Sequence, residues 1–254
     1  MKKYELTGEV KVKFGVTFKR IRALIDFGNV KKGELGGFIE KEENLSHENN
    51  AWVYGNAKVY GDARVSGNAE VSGDAWVYGN AKVYGDAWVY GNAEVSGNAR
   101  VSGDAEVYGN AKVYGDAWVY GNAEVYDNAE VSGNAWVYGG ARVYGDARVS
   151  GDAEVYGNAR VSGDAWVYGD AEVSGNARVS GNADYVLIGR IGSRLGFTTF
   201  FKNKNNKISV SCGCFLGTLA EFRAAVREKH GTDTKFAKVY QVAADLAEMQ
   251  ILNK

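Results

Sequence analysis

An all-β fold, a triangular parallel β-helix with 18 residues per coil, is what this sequence predicts, and three observations predict it. First, residues 51–182 read as 22 consecutive hexads of the form Ala-x-Val-(Tyr/Ser)-Gly-(Asn/Asp), and so short a fixed period marks a solenoid. Second, Ala and Val sit two apart, so on a strand both point to one face while x and Tyr/Ser point to the other. Third, each strand ends in Gly and Asn or Asp, types that tolerate positive φ and suit a corner. The exceptions, Asp127 at a fifth position and Gly140 at a sixth, obey the same corner rule. Three strands and three corners make one coil, with the Ala and Val columns of each wall buried. Nothing repeats every five residues, which excludes a square pentapeptide helix. The hexads fill a little over seven coils, a shaft about 35 Å long at about 4.8 Å per stacked strand. Each buried Val stabilises by roughly 1.5 kcal/mol, which offsets much of the ordering entropy.

Val53 to Ala57 and Val59 to Ala63 set an aliphatic residue four before a small one, and the spacing continues to Val179 and Ala183. This resembles the hexapeptide repeat of left-handed parallel β-helices, and the left hand is implied by that resemblance. Ile39 and Leu45, six apart, start the first coil. The step from Leu45 to Val53 is eight, so a longer corner near His47-Glu48-Asn49-Asn50 precedes the regular run.

The β-helix is expected over 39–186, with a β-rich N-terminal cap over 1–38 and a small α+β C-terminal domain over 187–254. Val10-Lys11-Val12-Lys13-Phe14 alternates, as does part of Phe18 to Ile25, and such strands cover an open solenoid end that would otherwise invite association. Arg20-Ile21-Arg22-Ala23-Leu24, Asp26-Phe27, Gly36-Gly37-Phe38-Ile39-Glu40 and Glu43-Asn44-Leu45-Ser46 resemble the leader of an uncharacterised family of bacterial and phage hexapeptide-repeat proteins of the YdcK type. That family, related to hexapeptide transferases, implies a fold, a phage or prophage setting and almost no activity. Beyond Ala183 the pattern decays. Phe197–Phe201 and Ile208–Cys212 flank the polar turn Asn203–Asn206 as a hairpin. Thr218 and Glu221 form a capping box for a helix with Leu219, Phe222 and Val226 on its apolar face, and a second helix runs from near Thr234 to Leu252. Ile191–Arg194, Cys212–Phe215 and Gly217–Leu219 resemble the tail of phage members of the same family.

Stacking i on i+18 defines three outward faces. On the first, the x column runs Lys58, Trp76, Glu94, Lys112, Glu130, Arg148, Trp166, and its alternating charges suit cross-strand neighbours. The second, starting at Trp52, carries Tyr90, Tyr108, Tyr126 and Tyr144 in succession and ends in Arg142, Arg160 and Arg178. On the third, Trp118 and Trp136 lie beside Tyr120, Tyr138 and Tyr156. These aromatics either stabilise the wall or form a flat platform for a glycan, a nucleic-acid base or a protein, and Trp118, Tyr120, Trp136 and Tyr138 are the candidate ligand-binding residues. The repeats contain no Thr, which argues against an ice-binding surface.

Chemistry is sparse. Net charge is −1, split into +4 over residues 1–40, −11 over 41–186 and +6 over 187–254, an acidic shaft between basic ends that could meet nucleic acid or another acidic surface. Hexapeptide-repeat acyltransferases use a His base near a subunit interface, usually beside a projecting loop. Here no His lies between His47 and His230 and no loop interrupts the hexads, so an acyl-CoA-dependent acyltransferase is the runner-up only. His47 is expected to be solvated in its corner, and His230 to answer a helix dipole. Cys212 and Cys214, both expected on one side of a strand, fall short of the roughly four ligands a metal needs. The glycines build no phosphate loop. No catalytic residue, metal or cofactor is expected. No apolar stretch reaches the ~20 residues of a membrane span and no signal core opens the chain, so a cytoplasmic location is the default. The expected function is that of a non-enzymatic rigid scaffold or binding protein, engaging a partner through its aromatic faces or basic tail, with self-association open.

Overall fold

The computed structural model describes residues 1–252, so the last two residues of the expected tail domain lie outside the described residues. The hexads form a parallel β-solenoid. Each contributes one two-residue strand, x-Val, from β4 (Trp52–Val53) to β25 (Arg178–Val179). Successive strands pass to the next wall, and every third strand pairs in parallel with x on x and Val on Val, as in Trp118 on Trp136 and Val119 on Val137. The ladder is regular: the Trp118 N–H donates to the Ala135 carbonyl at 2.9 Å and the Tyr120 N–H to that of Val137 at 3.0 Å. The Ala and Val of every hexad are fully buried, so the interior is a stack of small residues at the corners and β-branched ones between them.

Corners use the fifth and sixth positions differently. Gly55 to Gly175 take φ between 59° and 75°, and a Cβ on Gly103 would lie 2.9 Å from the Gly121 nitrogen one coil on. Glycine is therefore required both by conformation and by the close approach of stacked backbones. Asp127 takes φ 58° and survives because its carboxylate accepts from the Gly145 N–H at 3.3 Å. The sixth position does not adopt positive φ, so the corner rule extended to Gly140 was wrong there. Its side chains build ladders instead. Asn92, Asn110 and Asn128 each donate to the residue 18 further on, at 3.0–3.1 Å, and the run ends on Asp146, which can only accept. Asn80 to Asn98 to Asp116 repeats the rule.

The N-terminal segment is more than an end cap. Strands β1 (Tyr4–Lys13) and β2 (Val16–Ala23) form an antiparallel hairpin, and β3 (Leu35–Ile39) joins the hairpin to the first face through a parallel pairing with β5 (Lys58–Val59). Ile39 stacks on Val59 and Leu45 bridges Val65, so both start the first coil as expected. The hairpin reaches over the outside of the first face: Phe18 lies 5.5 Å from Tyr60 and 6.0 Å from Trp76, and the tip residue Phe14 lies 5.9 Å from Trp76. Trp52, expected on an outer face, is fully buried between Phe27 and Tyr4. His47 is only partly solvated. It stacks on Tyr4 at 4.3 Å, accepts from the Lys3 N–H, and burial lowers its pKa.

The C-terminal residues hold more strand than expected. In place of a single hairpin, β26 (Tyr185–Ile191), β27 (Gly196–Lys202), β28 (Ile208–Cys212) and β29 (Phe215–Thr218) form a four-stranded antiparallel meander, packed by α1 (Leu219–His230) and α2 (Lys235–Leu252). The Thr218/Glu221 capping box is present. Phe200, Val210, Phe222, Ala244 and Ala247 make a second core. Cys212 ends β28 while Cys214 sits exposed in the turn, so the two thiols do not share a strand face. Phe201 joins the core of the shaft, and the Tyr185 hydroxyl donates to the Trp166 carbonyl at 2.6 Å, which seats this unit on the last coil. Among the described residues no helix is long and apolar enough to cross a membrane.

Candidate functional site

Every hexad has the same core, so whatever distinguishes one face from another lies in the x and Tyr/Ser columns. The upper first face lies under the hairpin, and its central charges are in alternating register: Glu94 on Lys112, Lys112 on Glu130, Glu130 on Arg148. The second face carries the expected tyrosine ladder. Tyr90, Tyr108, Tyr126 and Tyr144 stack with centroids 4.8–5.0 Å apart and planes within 2° of parallel. Their phenols also serve the carboxylates, since Tyr90 donates to Glu106 at 2.9 Å and Tyr108 to Glu124 at 3.5 Å.

The third face differs from both. Its x column runs Arg64, Lys82, Arg100, Trp118, Trp136, Glu154, Glu172, each in direct register with the next. Three cations stand at one end, two tryptophans in the middle and two carboxylates at the other end. Like charges directly opposite each other on a sheet are destabilising, so the wall itself gains nothing from this order. Among the described residues none of Arg64, Lys82 and Arg100 has an ion-pair partner. Together with Ser66 and Tyr84 they line a shallow groove of about 360 Å³.

The four expected site residues meet at the centre of this face. Trp118 lies 5.5 Å from Trp136 and 5.7 Å from Tyr120; Tyr120 stacks on Tyr138 at 4.9 Å and on the edge of Trp136 at 6.4 Å. Arg100 lies over the Trp118 ring at 4.9 Å, a cation–π contact that joins the basic end to the aromatic centre. Trp136 is 39% exposed. The Trp118 indole nitrogen is shielded from solvent and has no hydrogen-bond partner among the described residues. The Tyr138 phenol donates to Glu154 at 2.9 Å, and its pKa is raised by burial first and by that bond second. Burial and Glu154 raise Tyr120 in the same direction. The cations and carboxylates that complete the face were not among the expected site residues. Writing out the third column at intervals of 18 residues would have found them.

A second concavity of about 430 Å³ lies where the C-terminal unit meets the last coil, lined by Phe197, Phe215, Phe222, Cys212 and Tyr240. Glu172 at its edge accepts from the Ser211 hydroxyl at 2.6 Å. The Tyr240 phenol is pushed up to about 12, first by burial and then by the Cys212 thiol. Arg194 and Lys229 border it, but so do Asp170 and Glu172, so it favours neither sign of ligand charge. His230 ends α1 stacked on Tyr240, at the far end of the molecule from His47. Among the described residues no three His, Cys, Asp or Glu side chains are grouped to hold a metal ion.

A family model described as the YdcK beta solenoid repeat matches residues 57–73, 63–79, 141–155 and 153–169. These stretches lie within the hexads, in the upper and lower parts of the shaft, and do not include the aromatic quartet. No curated protein matches the chain.

Proposed function

This chain is a YdcK-type β-solenoid repeat protein, and from that premise we propose that it is a non-enzymatic rigid scaffold whose third face is the surface that binds a macromolecular partner. One observation carries the reading. The third face gathers a partly exposed aromatic centre and charges without ion-pair partners onto a wall that would be more stable with the alternating charges of the first face. Aromatic centres bordered by charge are the anatomy of binding interfaces. A rigid wall also loses little entropy on binding, because the strands beneath it are held by ladder bonds in every coil.

The test is a tryptophan-fluorescence titration of the wild type and of the Trp118→Ala/Trp136→Ala variant with oligosaccharides, short single-stranded nucleic acids and acyl-CoA, alongside capture of partner proteins on each immobilised protein. Trp52 and Trp76 contact the N-terminal hairpin, so the difference between the two proteins is the signal that belongs to the third face. Binding present in the wild type and lost in the variant supports the reading. Saturable acyl-CoA binding with product formation would overturn it in favour of the acyltransferase, and equal capture by both proteins would move the contact elsewhere, the basic C-terminal unit first.

A further inference from the structure

The order of charges along the third face says which partner fits it. Resting on the reading above, we propose that the occupant is a second copy of this chain, packed third face to third face with the two shafts antiparallel about a two-fold axis along β15 (Trp118–Val119). Trp118 is the fourth of seven strands in this sheet. A two-fold axis along the strand direction keeps the x column over the x column and reverses its order. Lys82 then faces Glu154 of the other copy, Arg100 faces Trp136, Trp118 faces Trp118, and Arg64 faces Glu172. Every level is an ion pair, a cation–π contact or an aromatic pair, and none sets like charges together.

Centred on either of the other walls, the same operation sets like charges together. On the second face it sets Glu106 against Glu124, and on the first it sets Glu94 against Glu130 and Lys112 against itself. Parallel shafts fail on the third face too, since each level would meet its own charge. A nucleic acid suits the three cations but is repelled by Glu154 and Glu172 further along the same column. The shared Tyr/Ser column tolerates the reversal where it is open: Tyr120 meets Tyr120 and Tyr84 meets Tyr156. Closed two-fold pairs are the commonest assembly of identical chains. Glu172 is held by Thr199 and Ser211 of its own chain and Ser174 beside it is fully buried, so the contact runs over the inner five levels and the outermost pair contributes little. The wall is about 30 Å tall and about 13 Å wide. It belongs with small, weak interfaces, so the dimer forms only at high protein concentration and weakens with salt.

The experiment is a charge swap read by sedimentation equilibrium, with circular dichroism and melting as fold controls. The wild type is expected to pass from monomer to dimer with concentration. Lys82→Glu sets two carboxylates face to face at both symmetric positions and should weaken the dimer at least about tenfold. In its own column it places Glu between Arg64 and Arg100, so the monomer should melt no lower than wild type. The double variant K82E/E154K restores opposite charges across the axis and should recover the dimer. Trp118→Ala should weaken dimerisation with melting little changed. A wild type that stays monomeric at high concentration overturns the proposal, as does a dimer indifferent to Lys82→Glu and Trp118→Ala. If the wild type is monomeric but a ligand still binds in a manner lost in Trp118→Ala/Trp136→Ala, this inference falls and the binding-face reading stands. If neither association nor such binding is found, both fall.

Discussion

The first and third faces share a backbone, a buried column of Ala and Val and a column of Tyr and Ser, yet they are opposite designs at the x position. Along the first face Glu and Lys or Arg alternate, so each charge finds its complement one coil away in the same chain. Along the third face charges of one sign are gathered at each end, so their complements must come from outside. The core does not distinguish them, because x points away from it. A position freed from folding can be spent either on local stability or on recognition, and this molecule does both on adjoining walls.

The largest expected effects are those that ignore the difference between faces. Gly103→Val, on the third face corner, should unfold or aggregate the shaft, because its Cβ would meet the next coil at 2.9 Å in a conformation unfavourable to β-branched residues. Gly97→Val, at a first-face corner with the same 2.9 Å approach, should do the same in a melting experiment. Val113→Ala and Val119→Ala come next. Both side chains are fully buried, and each should cost about 2 kcal/mol by chemical denaturation. Unequal losses would show that the walls differ in more than their x columns.

Alkaline pH should give a moderate effect. Burial pushes the Tyr108 phenol up to about 12, with Glu124 and Tyr126 adding to it, and burial likewise pushes Tyr54 up to about 12. A phenol whose folded pKa lies above its unfolded value of 10 keeps its full contribution below pH 10 and loses it as pH rises from 10 to 12. Melting temperature should fall across that window, and Tyr108→Phe should flatten the fall. The smallest effect sharpens the comparison most. Lys112→Glu on the first face makes three carboxylates adjacent and should lower the melting temperature slightly, whereas Lys82→Glu on the third should leave it level or raise it. The same sign of change in both would mean that the third face is compensated within the chain after all.

Much of this was legible in the sequence because the repeat makes local and long-range structure the same information. Residue i+18 is the neighbour of residue i wherever the period holds, so stacked aromatics such as Tyr108 on Tyr126 and the four central residues of the third face follow from counting. Legibility stops where the period stops. Nothing in the neighbourhood of Trp52 says that it is buried, because Tyr4 of the hairpin and Phe27 of the segment after it reach it from outside the repeat. The strands at Tyr185–Ile191 and Phe215–Thr218 were likewise hidden, since their partners lie across the meander and no repeat announces them. The order of Asn and Asp at corners follows a rule that lies in the stacking, donor chains of Asn ending on an Asp acceptor.

The sequence by itself therefore determined the solenoid, its coil length, its core and the membership of each face, because a six-residue period with two buried positions admits one economical way to stack. Only the tertiary structure decided which of those faces stay open. The N-terminal hairpin covers the upper first face, the C-terminal unit covers the lower end of the third from Glu172 to Asn176, and the aromatic centre between is left partly exposed, Trp136 most of all. Coverage depends on where non-repeating segments fold back, and that is set by contacts between residues far apart in the chain, which no local pattern encodes.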